Sequence, residues 1–135
     1  MQLRFPYEAR PTLHYGNIPT IKFSLPVESK VVGFVKLTFL FDTGADVTSL
    51  PASLAEHLGI NLKNCPIEKM TGYEGYGVTV YRSQIRIKFN KKVLVIPCVF
   101  HPNENVPIIL GRAGILSRFN IHLNGKKKEI DFEEV

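Results

Sequence analysis

Cysteine is scarce in this chain. Cys65 and Cys98 are the only two, too few and too far apart for a disulfide framework or a zinc site. Long apolar runs are missing as well, so no segment is expected to span a bilayer. Met1 to Tyr15 has Arg4, Glu8 and Arg10 scattered through it and no apolar core, which is not the pattern of a secretory signal. A reducing, cytoplasmic setting is therefore the expectation. No fixed-period repeat is visible, which argues against a solenoid. Nor does charge of one sign dominate. The net charge of +5 over 135 residues permits weak attraction to polyanions without requiring a nucleic-acid partner. Against these absences, 44% of the residues are hydrophobic and 21% charged. That balance argues against disorder and suffices for one domain around one core.

Residues 1–17 contain Pro6, Pro11 and Gly16 without a clear period and read as an irregular N-terminal arm. From residue 18 to 135 a single domain is expected. Ile21, Phe23 and Leu25 alternate with Lys22 and Ser24 in a strand from Ile18 to Pro26. Glu28-Ser29-Lys30 reads as a turn and Val31 to Phe41 as a longer strand, together a hairpin. Leu50 to Gly59 switches to helical spacing, with Pro51 suited to the first turn and Gly59 placed to end it. His57 lies on this helix as a solvated side chain rather than a catalytic one.

Gly72, Gly75 and Gly77 fall within six residues between strand-like segments, as in a mobile hairpin tip. A phosphate-cradling loop is rejected because Val78-Thr79-Val80-Tyr81 continues as strand instead of opening a helix. Tyr81 to Phe89 alternates Ile85, Ile87 and Phe89 with Arg82, Gln84, Arg86 and Lys88. With Lys91 and Lys92 the latter make a basic stripe, read as a solvated face because base-stacking aromatics are absent from it. Val93 to Phe100 is a buried strand in which Pro97 marks an edge or bulge. Ile108 to Gly111 is a short apolar run stopped by glycine, with a helical turn expected through Leu116. Phe119 to Leu123, Asn124-Gly125 and Lys128 to Phe132 spell a terminal hairpin with a type I′ turn. Short strands with one brief helix make an all-β domain, small and either closed or sandwich-like.

The chemically suggestive stretch is Phe39-Leu40-Phe41-Asp42-Thr43-Gly44-Ala45-Asp46. An apolar strand ends in a tight Asp-Thr-Gly turn that pushes one carboxylate out of a rigid floor. The tripeptide alone is better read as a strand closing on a polar turn. Three elements together, however, resemble the retropepsin-like aspartic proteases, single-domain relatives of one lobe of pepsin. These are Asp42 to Asp46, the glycine-rich hairpin that follows, and Ile108-Ile109-Leu110-Gly111-Arg112. The likeness runs from about Ile18 to Leu116.

That resemblance implies a small closed β-barrel-like fold with a flap hairpin and one short C-terminal helix. It implies an aspartic endopeptidase in which Asp42 and its symmetry mate hold one water in a homodimer, without cofactor or metal, acting on polypeptide. One carboxylate takes the water's proton while the other, protonated, polarises the scissile carbonyl. With one Asp-Thr-Gly per chain, each copy supplies half a site. By likeness, Thr43 hydrogen-bonds across the dimer axis and Gly44 lets the substrate backbone approach. Ala45 and Asp46 belong to the substrate-binding loop, with Asp46 also pairing with Arg112; a purely structural ion pair is the alternative. Tyr73, Glu74 and Gly75 stand near the flap tip. Pepsin-like enzymes carry Ser or Thr where this chain has Ala45, so the shared carboxylates lack a donor that favours ionisation and a pH optimum nearer neutral is expected. A whole hairpin over Phe119 to Phe132 has no counterpart in the retroviral enzymes, so a different dimer interface is expected. Residues 1–17 are also additional, and read as an arm, a dimer contact or a segment removed by self-cleavage. Two other readings remain: a catalytically silent dimerisation or peptide-binding module, and a basic nucleic-acid-binding β domain.

Overall fold

The computed structural model describes residues 2–71 and 77–135. Period-two alternation sets the fold from the outset. Leu3 and Phe5 alternate with Arg4 along β1 (Gln2–Pro6) and pack against the core. A small hairpin of β2 (Glu8–Pro11) and β3 (Asn17–Thr20) follows. Residues 2–11 are thus mostly strand and not irregular. The reason was invisible locally: β1 finds its partner at the opposite end of the chain.

β4 (Lys22–Ser29) turns Phe23, Leu25 and Val27 inward, and β5 (Gly33–Phe41) does the same with Leu37, Phe39 and Phe41. Their register sets Phe23 opposite Phe39 and Leu25 opposite Leu37, so the cross-strand pairs are apolar on one face. The turn between them lies later than the polar triplet suggested. Ser29 is buried and still pairs with Gly33; its hydroxyl donates to His57 O at 2.7 Å and accepts from Val31 N at 3.1 Å.

After β5 come β6 (Thr48–Pro51) and the helix α1 (Ser53–Leu58). Pro51 ends β6, paired with His101, and does not open the helix. Gly59 closes the helix as expected, at φ +73, where an added Cβ would fall 2.8 Å from Lys30 Cβ. A single 3₁₀ turn at Leu62–Asn64 leads into β7 (Ile67–Thr71). β8 (Gly77–Phe89) and β9 (Lys92–His101) form the longest hairpin. Pro97 sits just before the stretch of β9 that pairs with β6, where that side of the strand is free of the β6 ladder.

Beyond β10 (Ile109–Leu110) the expected C-terminal helix shrinks to two successive hydrogen-bonded turns, closed on Arg112 O and on Ile115 O. Ile115 N and Leu116 N both donate to Arg112 O, at 3.0 and 3.1 Å. Gly114, at φ +81, stops a right-handed helix from propagating. β11 (Phe119–Asn124) and β12 (Glu129–Glu134) then form the terminal hairpin. Asn124 pairs with Glu129, so the loop has four residues and is not the two-residue type I′ turn. Asn124 Oδ1 accepts from Lys127 N at 2.9 Å, and Lys128 takes the left-handed conformation at φ +55.

Seven strands run in the order β4–β5–β10–β6–β9–β8–β7, and β4 also meets β8 through Val27 and Ile87, so the sheet doubles back on itself. A second sheet, β1–β12–β11, lies against it. Phe5 stacks on Phe23 at 4.1 Å between centroids, while Phe132 meets Phe23 and Phe41 edge-on at 5.6 and 5.5 Å. The strand that delivers Asp42 therefore rests on aromatic packing contributed by both chain termini.

Candidate active site

The loop after Phe41 is fixed from three sides. β10 runs parallel to β5, with Leu110 beside Phe41, and antiparallel to β6, with Ile109 beside Ser49. It thus separates the strands that enter and leave residues 42–47. Leu40 N donates to Ile108 O at 2.8 Å, and Asp42 N to Leu110 O at 3.1 Å. Ala45 N donates back to Asp42 O at 3.2 Å and closes a tight turn. On the far side, Arg112 N donates to Ala45 O at 3.0 Å and Ala113 N to Asp46 O at 2.9 Å. The backbone of the loop is thereby tied at Asp42, Ala45 and Asp46, which holds the Asp42 carboxylate in place before any ligand arrives.

The carboxylate itself accepts a hydrogen bond from Gly44 N, at 2.8 Å from Oδ1. A Cβ on residue 44 would stand 3.1 Å from that same oxygen, so an ordinary side chain would crowd the acceptor. Asp42 is half-buried, whereas Thr43 and Gly44 are exposed beside it. Ala45 offers only a methyl here, and no hydroxyl. Asp46 pairs with Arg112 as expected, but its side chain is 84% exposed, so the pair is a solvated one.

A residue that the sequence reading passed over is Thr48. It is fully buried in β6, and its Oγ1 accepts from Gly111 N at 3.1 Å. Gly111 must be glycine for a steric reason. An added Cβ would lie 2.5 Å from Val47 C and 2.6 Å from Val47 O. A hydroxyl residue one position after Val47 and two before Leu50 was the available signal, since a hydroxyl buried on their strand needs a partner.

Beside this loop a cleft of about 800 Å³ runs from Asp46 and Val47 to Met70 at the end of β7, with Arg82 and Pro97 in its wall. β7 and β8 pair out to Thr71 and Gly77, and Glu68 and Met70 of β7 line the cleft. Tyr73, Glu74 and Gly75 lie outside the described residues. Cys98 also lines the cleft, and burial pushes its thiol up to about 12, so it is a neutral packing group. Among the described residues no three His, Cys, Asp or Glu side chains are grouped to hold a metal ion. No helix among them is long and apolar enough to cross a membrane.

The basic stripe is electrostatically interrupted. Arg82 pairs with Glu68 at 3.5 Å, Arg86 with Glu28, and Lys92 with Glu134, whose carboxyl that hydrogen bond holds below its usual range. Lys88 lies over the Phe34 ring, 5.5 Å from its centroid. Cations answered by carboxylates across the strands form a poor phosphate track.

The aspartyl protease family model matches residues 27–113, a span that contains both the Asp42 loop and Gly111-Arg112. Among solved structures, the chain is similar to the crystal structure of a retropepsin-like aspartic protease from Rickettsia conorii. The TM-score is 0.59 at 17% identity, over 84% of this chain and 92% of that one. At such low identity the likeness concerns the fold, which is mostly β with one lone helix and retropepsin-like. No curated protein matches the chain in sequence.

Proposed function

Because the chain belongs to the aspartyl protease family, we propose that it is an aspartic endopeptidase that works as a homodimer, with Asp42 and its symmetry mate sharing one water. The observation that carries this reading is the Asp42 carboxylate itself. Gly44 N orients it at 2.8 Å, and its main chain is pinned to Leu110 O at 3.1 Å. A general acid or base works from a fixed position.

In the proposed cycle the two carboxylates share a single proton, because like charges that close do not both ionise. The ionised one takes a proton from the water, whose oxygen attacks the peptide carbon. The protonated one donates to the carbonyl oxygen. The tetrahedral intermediate collapses when the amide nitrogen receives a proton from one carboxyl of the dyad and a hydroxyl of the intermediate returns its proton to the other. The C–N bond breaks, leaving a carboxyl and an amine with the dyad again holding one proton. Thr43 stiffens the pair across the axis, and Gly44 gives the substrate backbone room. Asp46 meets that backbone, and the β7–β8 hairpin, with Tyr73, Glu74 and Gly75 near its tip, closes over it. The reading includes a reducing, cytoplasmic setting.

Two outcomes follow from particular residues. Asp46→Ala is expected to change the unfolding free energy by less than about 1 kcal/mol, since its ion pair is solvated, while raising KM for a peptide substrate. Urea titration and steady-state kinetics separate the two effects; a large stability loss with unchanged KM would make Asp46 purely structural. Because Ala45 supplies no hydroxyl to the dyad, kcat/KM is expected to peak nearer neutral than pepsin's strongly acid optimum, and Ala45→Ser to move the peak to lower pH. A wild-type profile already peaking at strongly acid pH contradicts this.

The direct test is cleavage of an unbiased peptide library, with and without a pepstatin-type inhibitor, over a series of protein concentrations. Inhibitor-sensitive cleavage whose rate per chain rises with concentration is expected. A proven dimer that cleaves nothing turns the assignment to a silent peptide-binding module.

A further inference from the structure

The β2–β3 hairpin takes no part in the machinery described so far, and its construction is unusual. It pairs only with itself. All four residues of β2 and three of the four in β3 are exposed. Its tip carries Leu13, 90% exposed, and Tyr15, 79% exposed, the two most exposed large apolar side chains among the described residues. An isolated two-stranded hairpin is marginal in water, yet this tip is tightly built. Thr12 N donates to Gly16 O at 2.8 Å, Thr12 Oγ1 to the same oxygen at 2.7 Å, and Tyr15 N to Thr12 Oγ1 at 3.0 Å. Gly16 takes the left-handed conformation that closes it, at φ +66.

We propose that this hairpin is an arm by which two copies of the chain grip one another, an inference that rests on the homodimeric reading above. Three observations point to a second copy. The first is where the arm begins. Phe41 N donates to Ile21 O at 2.9 Å, so β3 ends beside the residue that precedes Asp42; the other base is tied by Tyr7 N to Lys128 O at 2.8 Å. Strand geometry gives the arm a reach of roughly 15 Å from that base. A two-fold axis that brings two Asp42 carboxylates to one water passes close to this base, since Ile21 O is bonded to the residue before Asp42.

The second observation is the kind of contact the arm can make. Pro11 and Pro19 remove backbone donors from its two strands, and prolines at strand edges oppose the addition of a further strand. An extended peptide substrate, which would bind by strand addition, is poorly served. The third is composition. Ala9, Pro11, Pro19 and Asn17 share one face and are uncharged. With Leu13 and Tyr15 beyond them, they suit a folded protein surface from which water is excluded. Two-fold symmetry makes the contact twice, once with each arm.

The test is the full-length double variant Leu13→Asp/Tyr15→Asp, compared with wild type by sedimentation equilibrium over a concentration series. Both side chains are exposed, so the fold is expected to survive, and the melting temperature checks it. The dimer dissociation constant should rise at least ten-fold. Cleavage per chain should fall at low concentration and return to the wild-type kcat at saturating concentration. A photo-crosslinker in place of Tyr15 should join two chains. An unchanged dissociation constant, with or without a raised KM, overturns the arm while leaving the dimeric protease intact. A wild type that stays monomeric at every concentration overturns the dimeric reading and the arm with it. A dimeric wild type that cleaves nothing, yet is dissociated by the double variant, sustains the arm and defeats only the chemistry.

Discussion

Asp42→Asn is expected to lower kcat/KM for peptide hydrolysis by roughly 10²–10⁴-fold, the range for losing a general acid–base group, while leaving the melting temperature and the dimer unchanged. The carboxamide has the size of the carboxylate, and its oxygen can still accept the 2.8 Å hydrogen bond from Gly44 N. The loop is held by main-chain bonds to Leu110, Arg112 and Ala113, none of which involves the Asp42 side chain. What the variant loses is a group that takes and returns a proton. In a homodimer both halves of the dyad are lost together, which puts the effect toward the upper end of the range. The checks are steady-state kinetics on one peptide, thermal unfolding and sedimentation. Activity within ten-fold of wild type would place the chemistry on another residue.

The second large effect concerns stability. Gly111→Ala should destabilise the fold by about 3 kcal/mol, the upper end for overpacking a well-filled site. The added methyl would meet Val47 C at 2.5 Å, Val47 O at 2.6 Å and Thr48 N at 2.9 Å. All three are main-chain atoms where the loop after Asp42 enters β6, so no side chain can rotate away. Relief requires Gly111 and the 47–48 backbone to part, which also stretches the Gly111 N to Thr48 Oγ1 hydrogen bond and exposes a buried hydroxyl. Leu110, next in the chain, carries the carbonyl that pins Asp42 N, so the surviving folded fraction should also be less active. Gly125→Ala is the control, since nothing lies within 4 Å of its added Cβ. Urea denaturation measures both. A Gly111→Ala protein within about 0.5 kcal/mol of wild type, the ordinary scatter of surface changes, would show that the interlock between residues 47–48 and 111 is not tight.

The features that could be read from the sequence share a physical property: the signal and its cause lie close together in the chain. The Asp42 turn, the alternating faces of β4 and β5, and Gly59 at the helix end are dictated by neighbours a few residues away. β1 was read as irregular because the apolar partner of Leu3 and Phe5 is Phe132 and its strand, at the far end of the sequence. Asn124-Gly125 suggested a two-residue turn by composition. The Asn124 side chain captured Lys127 N, and the left-handed residue became Lys128. Pro51 could open a helix or end a strand, and pairing with His101 settled it as the latter. At the site, the turn from Asp42 to Ala45 and the Asp46–Arg112 contact were legible, whereas the place of Thr48 was not. Its importance comes from a close approach to Gly111 that only folding creates.

The central claim is that one site is built from two copies of Asp42, and inhibitor stoichiometry tests it most directly. Wild-type protein held well above its dimer dissociation constant is titrated with a tight pepstatin-type inhibitor, with bound inhibitor counted by calorimetry and cleavage followed in parallel. One inhibitor per two chains, with activity extinguished at that ratio and no binding to Asp42→Asn, is the expected result. One inhibitor per chain, or binding that Asp42→Asn leaves unchanged, would contradict it.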